Sequence, residues 1–250
     1  MLESDPARIA LAEARECAER CDWPQAYQLL QAVDGEGQLT AQGLEFFADC
    51  ARWTGSVEQV VPLLERAHQA YGTDRDGAVR TALSLCYTHM DACENSPAAS
   101  WWRRADELIV GLPEGPQHAL HTWFAGRARG DLGDIDGHEE LAQKSLEIAR
   151  RFGDRNTEAL ALVDLAHTAS ARGRSAEALE LLDCATALAL GGEVDVMQSG
   201  LVFCNAIIAY RSRGEWDRAQ QWTDSANRWV QRVQVSYFPG LCRVHRAEVL

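Results

Sequence analysis

Amphipathic runs of about 15 residues, with apolar side chains at i, i+3, i+4 and i+7, follow one another along the chain and are separated by short breaks. The breaks that carry the pattern are Cys21-Asp22-Trp23, Thr54-Gly55-Ser56, Glu94-Asn95-Ser96, Leu132-Gly133-Asp134, Arg172-Gly173-Arg174 and Arg213-Gly214-Glu215. Aligning positions 21, 55, 93, 133, 173 and 214 gives successive spacings of 34, 38, 40, 40 and 41 residues. The unit is therefore helix, tight turn, helix, repeated six times. The periodicity predicts helices over 6–20, 23–34, 38–54, 56–71, 75–92, 97–111, 116–131, 135–152, 155–172, 175–191, 194–213, 216–233 and 237–250. Pro97, Pro116 and Pro239 fall at or just before helix starts, where a missing N–H costs least. Gly72, Gly111, Gly153 and Gly191-Gly192 fall near helix ends, where a chain reversal is needed.

Small residues recur in register with the breaks. Counting from Gly173, Ala166 lies seven before, Ala178 five after and Ala185 twelve after, with Leu182 between them. The same frame places Ala219 and Ala226 after Gly214, Ala67 after Gly55, and Ala14 and Ala26 around Cys21. Gly126 and Ala48 fill the small position in two further first helices. Two antiparallel helices approach closely only where one presents a methyl group or less, and a larger residue one turn away fills the groove so formed. This pattern resembles the tetratricopeptide repeat. The resemblance implies an all-α fold: a right-handed superhelical solenoid of antiparallel helix pairs, about six repeats plus a partial seventh, forming one domain over residues 1–250. No Ser/Pro-rich linker interrupts it. Segment 237–250, with Leu241, Val244, Ala247 and Leu250, reads as a first helix lacking its partner and lacking a polar outer face. It suggests that the sequence is part of a longer protein, and an uncovered apolar end also favours a homodimer.

Composition narrows the function. With 46% hydrophobic residues the chain is globular rather than disordered, and its abundant Ala and Leu favour helix over sheet. The net charge of −13 and the absence of a Lys/Arg run argue against direct nucleic-acid binding by this segment. No stretch has the 18 or so consecutive apolar residues of a transmembrane helix. The acidic start, Met1-Leu2-Glu3-Ser4-Asp5, is unlike a signal peptide. Eight cysteines without a disulfide-scaffold spacing read as reduced thiols of a cytoplasmic protein.

Several stretches carry a second resemblance. Gly191-Gly192-Glu193-Val194, Val202-Phe203-Cys204-Asn205, Arg218 to Thr223 with Trp229, and Phe238 to Glu248 are similar to the repeat region of bacterial LuxR-type transcriptional regulators. That resemblance covers roughly residues 75–250. It implies a sensory or interaction module that accompanies a DNA-binding output domain elsewhere. The residues of this chain contain no recognisable helix-turn-helix pair, phosphate loop or cyclase segment, so those attributes do not carry over.

Repeat arrays of this kind bind along the face lined by first helices. The positions expected on that concave face are Tyr87, Trp123, Arg127, His167, Cys204, Ile208, Arg211 and His245. Apolar area for affinity with a few polar groups for orientation suits a small anionic or amphipathic ligand, or a partner protein. The alternative is that Arg127 and Arg211 pair with neighbouring carboxylates such as Asp131 and Asp164, leaving a solvated face. A chaperone-type carboxylate clamp is not supported, because Lys144, the single lysine, falls on a second helix. Cys204, Cys242 and His245 form a candidate metal or thiol-sensing trio, and Cys86, His89 and Cys93 a candidate metal group at helical spacing for which core packing is the competing reading. His-Glu-x-x-His, Gly-x-Ser-x-Gly and Gly-x-Gly-x-x-Gly are all missing, so an enzyme is not expected and no cofactor is implied. A stand-alone protein-interaction scaffold is the remaining alternative.

Overall fold

The computed structural model describes residues 6–35 and 37–235. Within them lie twelve α-helices: α1 (Pro6–Glu19), α2 (Trp23–Asp34), α3 (Ala41–Thr54), α4 (Val60–Tyr71), α5 (Arg75–Asp91), α6 (Asn95–Ile109), α7 (Pro116–Asp131), α8 (Ile135–Phe152), α9 (Arg155–Ala171), α10 (Ser175–Gly191), α11 (Val196–Ser212) and α12 (Trp216–Val233). Consecutive helices pair into antiparallel hairpins; odd-numbered members are first helices and even-numbered ones second helices. The fold is all-α and tetratricopeptide-like. The helices predicted up to residue 233 are all present, with shifts at their ends. Helix α3 starts at Ala41 rather than 38 because Thr40, in extended backbone, caps it by accepting from the Gly43 N–H at 3.2 Å. Helix α4 starts at Val60, after a 3-10 turn over Val57–Gln59. Helix α6 begins two residues ahead of Pro97, which sits in its first turn. Segment 237–250 lies outside the described residues.

The described residues form two compact units, 6–112 with 230–235, and 113–229.

The hairpin turns are built alike in both units. All six aligned break positions have positive φ: Cys21 60°, Gly55 92°, Cys93 59°, Gly133 82°, Gly173 74° and Gly214 72°. The N–H of the next residue then reaches the carbonyl five residues back, from Asp22 to Cys17, Ser56 to Ala51, Glu94 to His89, Asp134 to Arg129, Arg174 to Ala169 and Glu215 to Tyr210, all at 2.8–3.0 Å. This left-handed stop satisfies an orphan carbonyl at the end of the first helix and aims the chain back along it. Cysteine replaces glycine there twice, at a cost of about 1–2 kcal/mol each for the crowded Cβ.

The in-register small residues are the close contacts. Ala14, Ala26, Ala48, Ala67, Ala166, Ala178, Ala185, Ala219 and Ala226 are all buried, as is Leu182. Ala98 and Ala105 occupy the matching positions of repeat three and are buried too. In the first unit, neighbouring repeats are also tied by Arg66 to Asp34 and by a two-pronged Arg80–Glu45 pair, while Arg75 closes the third hairpin by donating to the Leu108 and Val110 carbonyls. In the second, α7 lies against α9 and α9 against α11, so first helices stand side by side. Arg172 and Arg174, at the α9–α10 turn, reach back to Glu139 on α8, and Asn156 pairs with Asp195. Phe203 of α11 packs against Trp222 and Trp229 of α12, which share one face as their spacing predicts.

Candidate functional site

Repeat four departs from the small-residue rule. Five residues after its turn glycine, where repeats one, three, five and six have alanine, stands His138. Twelve after, where repeat five has Ala185, stands Ser145. Both are buried. A histidine fits because α7 carries glycines on the facing side. A Cβ on Gly130 would come within 2.5 Å of His138 Nδ1, and one on Gly126 within 3.1 Å of the Leu141 Cβ. Ser145 donates to the Ala119 carbonyl of α7 at 2.9 Å.

The His138 ring reaches into the next repeat. Its Nε2 lies 3.1 Å from Asp164 Oδ2 on α9, a carboxylate whose side chain is only 2% exposed. The other oxygen, Oδ1, accepts from Arg127 Nη1 of α7 at 3.1 Å, and His167 Nδ1 stands 4.0 Å from it. Burying a carboxylate is costly unless it is paired, and here three basic side chains from α7, α8 and α9 surround one acid. Arg127 is held from a second side by Trp123, whose ring centroid lies 5.7 Å from the guanidinium carbon. Trp123 is itself 93% buried, counted from its 7% exposure, and its indole N–H has no hydrogen-bond acceptor among the described residues. Burial pushes the His167 pKa below its ordinary value; Asp164 draws it up, Arg127 lowers it, a hydrogen bond with Asn205 of α11 raises it, and His138 lowers it.

Of the eight side chains predicted on the binding face, Trp123, Arg127 and His167 are brought together around Asp164. The Arg127–Asp164 pair is one that the alternative reading foresaw, yet Arg127 keeps 37% of its side chain exposed and His167 39%. Ile208 is exposed on α11 at the same repeat position as Arg127 and His167, six before the turn glycine. Arg211 on α11 is half-buried, and Cys204 is buried. Tyr87 is half-buried on α5, in the other unit. His245 and Cys242 lie outside the described residues, which leaves Cys204 alone of the predicted sulfur–nitrogen trio. In the other trio, Cys86 is buried, with its thiol pushed up to about 11 by that burial; His89 Nδ1 is 2.6 Å from Glu94 Oε2; and Cys93 is exposed in the turn. Among the described residues no group of three or more His, Cys, Asp and Glu side chains is placed to hold a metal ion. No described helix is long and apolar enough to cross a membrane.

Sequence reasoning missed His138, Gly130 and Asn205, and took Asp164 only as a possible arginine partner. The signal for His138 was present, since the frame that marks Ala26, Ala178 and Ala219 also marks position 138.

No protein-family model matches the chain, and no curated protein does. Solved structures match by fold. A Rap protein complexed with Competence and Sporulation Factor superposes with a TM-score of 0.59 at 12% identity, covering 92% of this chain and 78% of the other. A Pyrococcus horikoshii Signal Transduction ATPase with Numerous Domains (STAND) protein with a tetratricopeptide repeat sensor gives 0.57 at 15% identity, over 91% of this chain but only 34% of the longer one. BtubC from P. vanneervenii gives 0.50 at 17% identity, over 90% and 91%. These likenesses show a tetratricopeptide-like fold.

Proposed function

We propose that the chain is the interaction or sensory module of a bacterial regulatory protein, binding a partner segment or small amphipathic ligand on the first-helix face of the second unit. The observation that carries this reading is the row Arg127, His167 and Ile208. These side chains occupy one repeat position on three adjacent first helices, and each is more than a third exposed. A row of unlike side chains at the repeat spacing can read a partner's chemistry residue by residue, and a continuous face gives the area that affinity needs. Two likenesses support a sensory role: the sequence resemblance to LuxR-type regulators, and the fold likeness to a protein whose repeats are described as a sensor.

The test is selection of peptides from a random library on the immobilised protein, with rebinding to variants. Selected peptides are expected to lose about tenfold or more in affinity for Ile208→Asp, since a charge replaces apolar contact area. Glu180→Ala, on an exposed second-helix position, is expected to leave them unchanged. Equal binding to all three proteins would overturn the assignment of the face.

A further inference from the structure

The cluster around Asp164 has more donors than acceptors. Arg127 gives Nη1 to the carboxylate, but its Nε and Nη2 make no hydrogen bond to a described residue. The guanidinium is nonetheless held in place, between Asp164 on one side and the Trp123 ring on the other. Beside it the buried Trp123 indole N–H also lacks an acceptor. His167 stands next in the row, and Ile208 offers an exposed apolar surface one repeat further on. A fixed guanidinium with an unused edge is suited to a planar or tetrahedral oxyanion, which it grips through two parallel N–H groups.

We propose that Arg127 binds an oxyanion of the partner or ligand, a carboxylate or a phosphate, carried on an apolar stem that lies toward Ile208. This rests on the interaction reading above and gives it a chemistry. Asp164 and His138 act as positioning residues: Asp164 aims the guanidinium, and His138 holds the second carboxylate oxygen so that Asp164 stays fixed.

Binding of this kind is linked to a proton. The groups acting on His167 are Asp164 on its own helix, Arg127 from α7, His138 from α8 and Asn205 from α11. Arg127 is among those that hold the imidazole neutral. An oxyanion on Arg127 offsets that charge, so His167 takes up a proton more readily in the complex. By linkage, affinity rises as pH falls through the histidine range.

Three probes with one tail test the head group: hexanoate, hexyl phosphate and hexylammonium, titrated into the full chain while following the Arg127 Nε–H resonance. At least one acid is expected to shift it saturably while hexylammonium leaves it unmoved, and the stronger acid identifies carboxylate or phosphate as the natural head group. Arg127→Met is expected to weaken that acid by about tenfold or more. The wild type is expected to bind it about threefold tighter at pH 6 than at pH 8 once the acid's own ionisation is accounted for, and His167→Gln to flatten that profile. The His167→Gln profile decides the matter even if Arg127→Met folds poorly. No shift with either acid, or a flat wild-type profile, overturns the proposal. Peptides that still depend on Ile208 would then leave the interaction face standing without its oxyanion site.

Discussion

Repeat five joins its two helices through Ala178 and Ala185, with Ala166 at the small position of the first helix, all fully buried. Repeat four, beside it in the same unit, carries His138, Ser145 and Gly126 at those three positions, and adds Gly130. The side-chain volume gained on α8 is offset by the methyl groups withheld from α7, so the helices still pack as a hairpin. What changes is the chemistry of the seam. In repeat five those three positions carry only methyl groups. In repeat four the seam holds an imidazole that extends to Asp164 and ties α7, α8 and α9 to one buried acid. One helical frame thus accommodates either a dry contact or a polar network, provided that volume is conserved and each buried polar group finds a partner.

Removing the hub of that network has the largest expected effect. Asp164→Ala leaves His138 and Arg127 without their acceptor and should cost about 3–5 kcal/mol in urea unfolding. A loss below about 1 kcal/mol, the range of a surface pair, would mean that the cluster is not a buried network. Next comes the glycine that makes room for the ring. Gly130→Ala should cost about 1–3 kcal/mol, because its Cβ meets His138 at 2.5 Å and either the ring or the helix must move. Ala166→Gly in repeat five provides the contrast: it removes a buried methyl and should destabilise without any rearrangement of α10.

Smaller effects separate the turns. Cys93 is exposed at φ 59°, where four of the six repeats have glycine, so Cys93→Gly should stabilise by up to about 1 kcal/mol in the same assay. Gly133→Ala, at φ 82° in the next repeat's turn, should destabilise instead. Unchanged stability in both variants would show that the left-handed position carries no strain.

The smallest effect is a slope against pH. The folded His167 has a pKa below its unfolded value of about 6.5, so the unfolded chain binds more protons as pH falls through that value. Stability contributed by the neutral imidazole is therefore present above about pH 6.5 and is lost progressively below it. His167→Gln should reduce the slope of unfolding free energy against pH between about 6.5 and 5. An identical slope in the variant would remove His167 as its source.

The repeat frame was legible because it rests on steric rules that act locally: a left-handed turn at fixed spacing and a small residue where two helices touch. Those rules placed Cys21 and Cys93 at turn positions despite their not being glycine, and marked Ala166 and Ala178 as contacts. Helix starts at Ala41 and Val60 were less legible, since Thr40 capping and the 3-10 turn at Val57–Gln59 shift them within an unbroken apolar pattern. The site was legible by row and not by network. Position six before the turn picks out Arg127, His167 and Ile208 from sequence, whereas the meeting of His138 with Asp164 spans 26 residues and two helices. Periodicity carries no information about which polar side chains converge across such a separation. The anomaly at position 138 was nevertheless visible as a break in the column of alanines.

Whether repeat four is carved around His138 is decided by a double-mutant cycle between Gly130→Ala and His138→Ala. With His138 present, the added methyl should destabilise by about 1–3 kcal/mol. In the His138→Ala background the same methyl has room, and should be neutral or stabilise by up to about 1 kcal/mol as alanine replaces glycine in a helix. A coupling near zero, with Gly130→Ala equally costly in both backgrounds, would show that repeat four is not carved around His138.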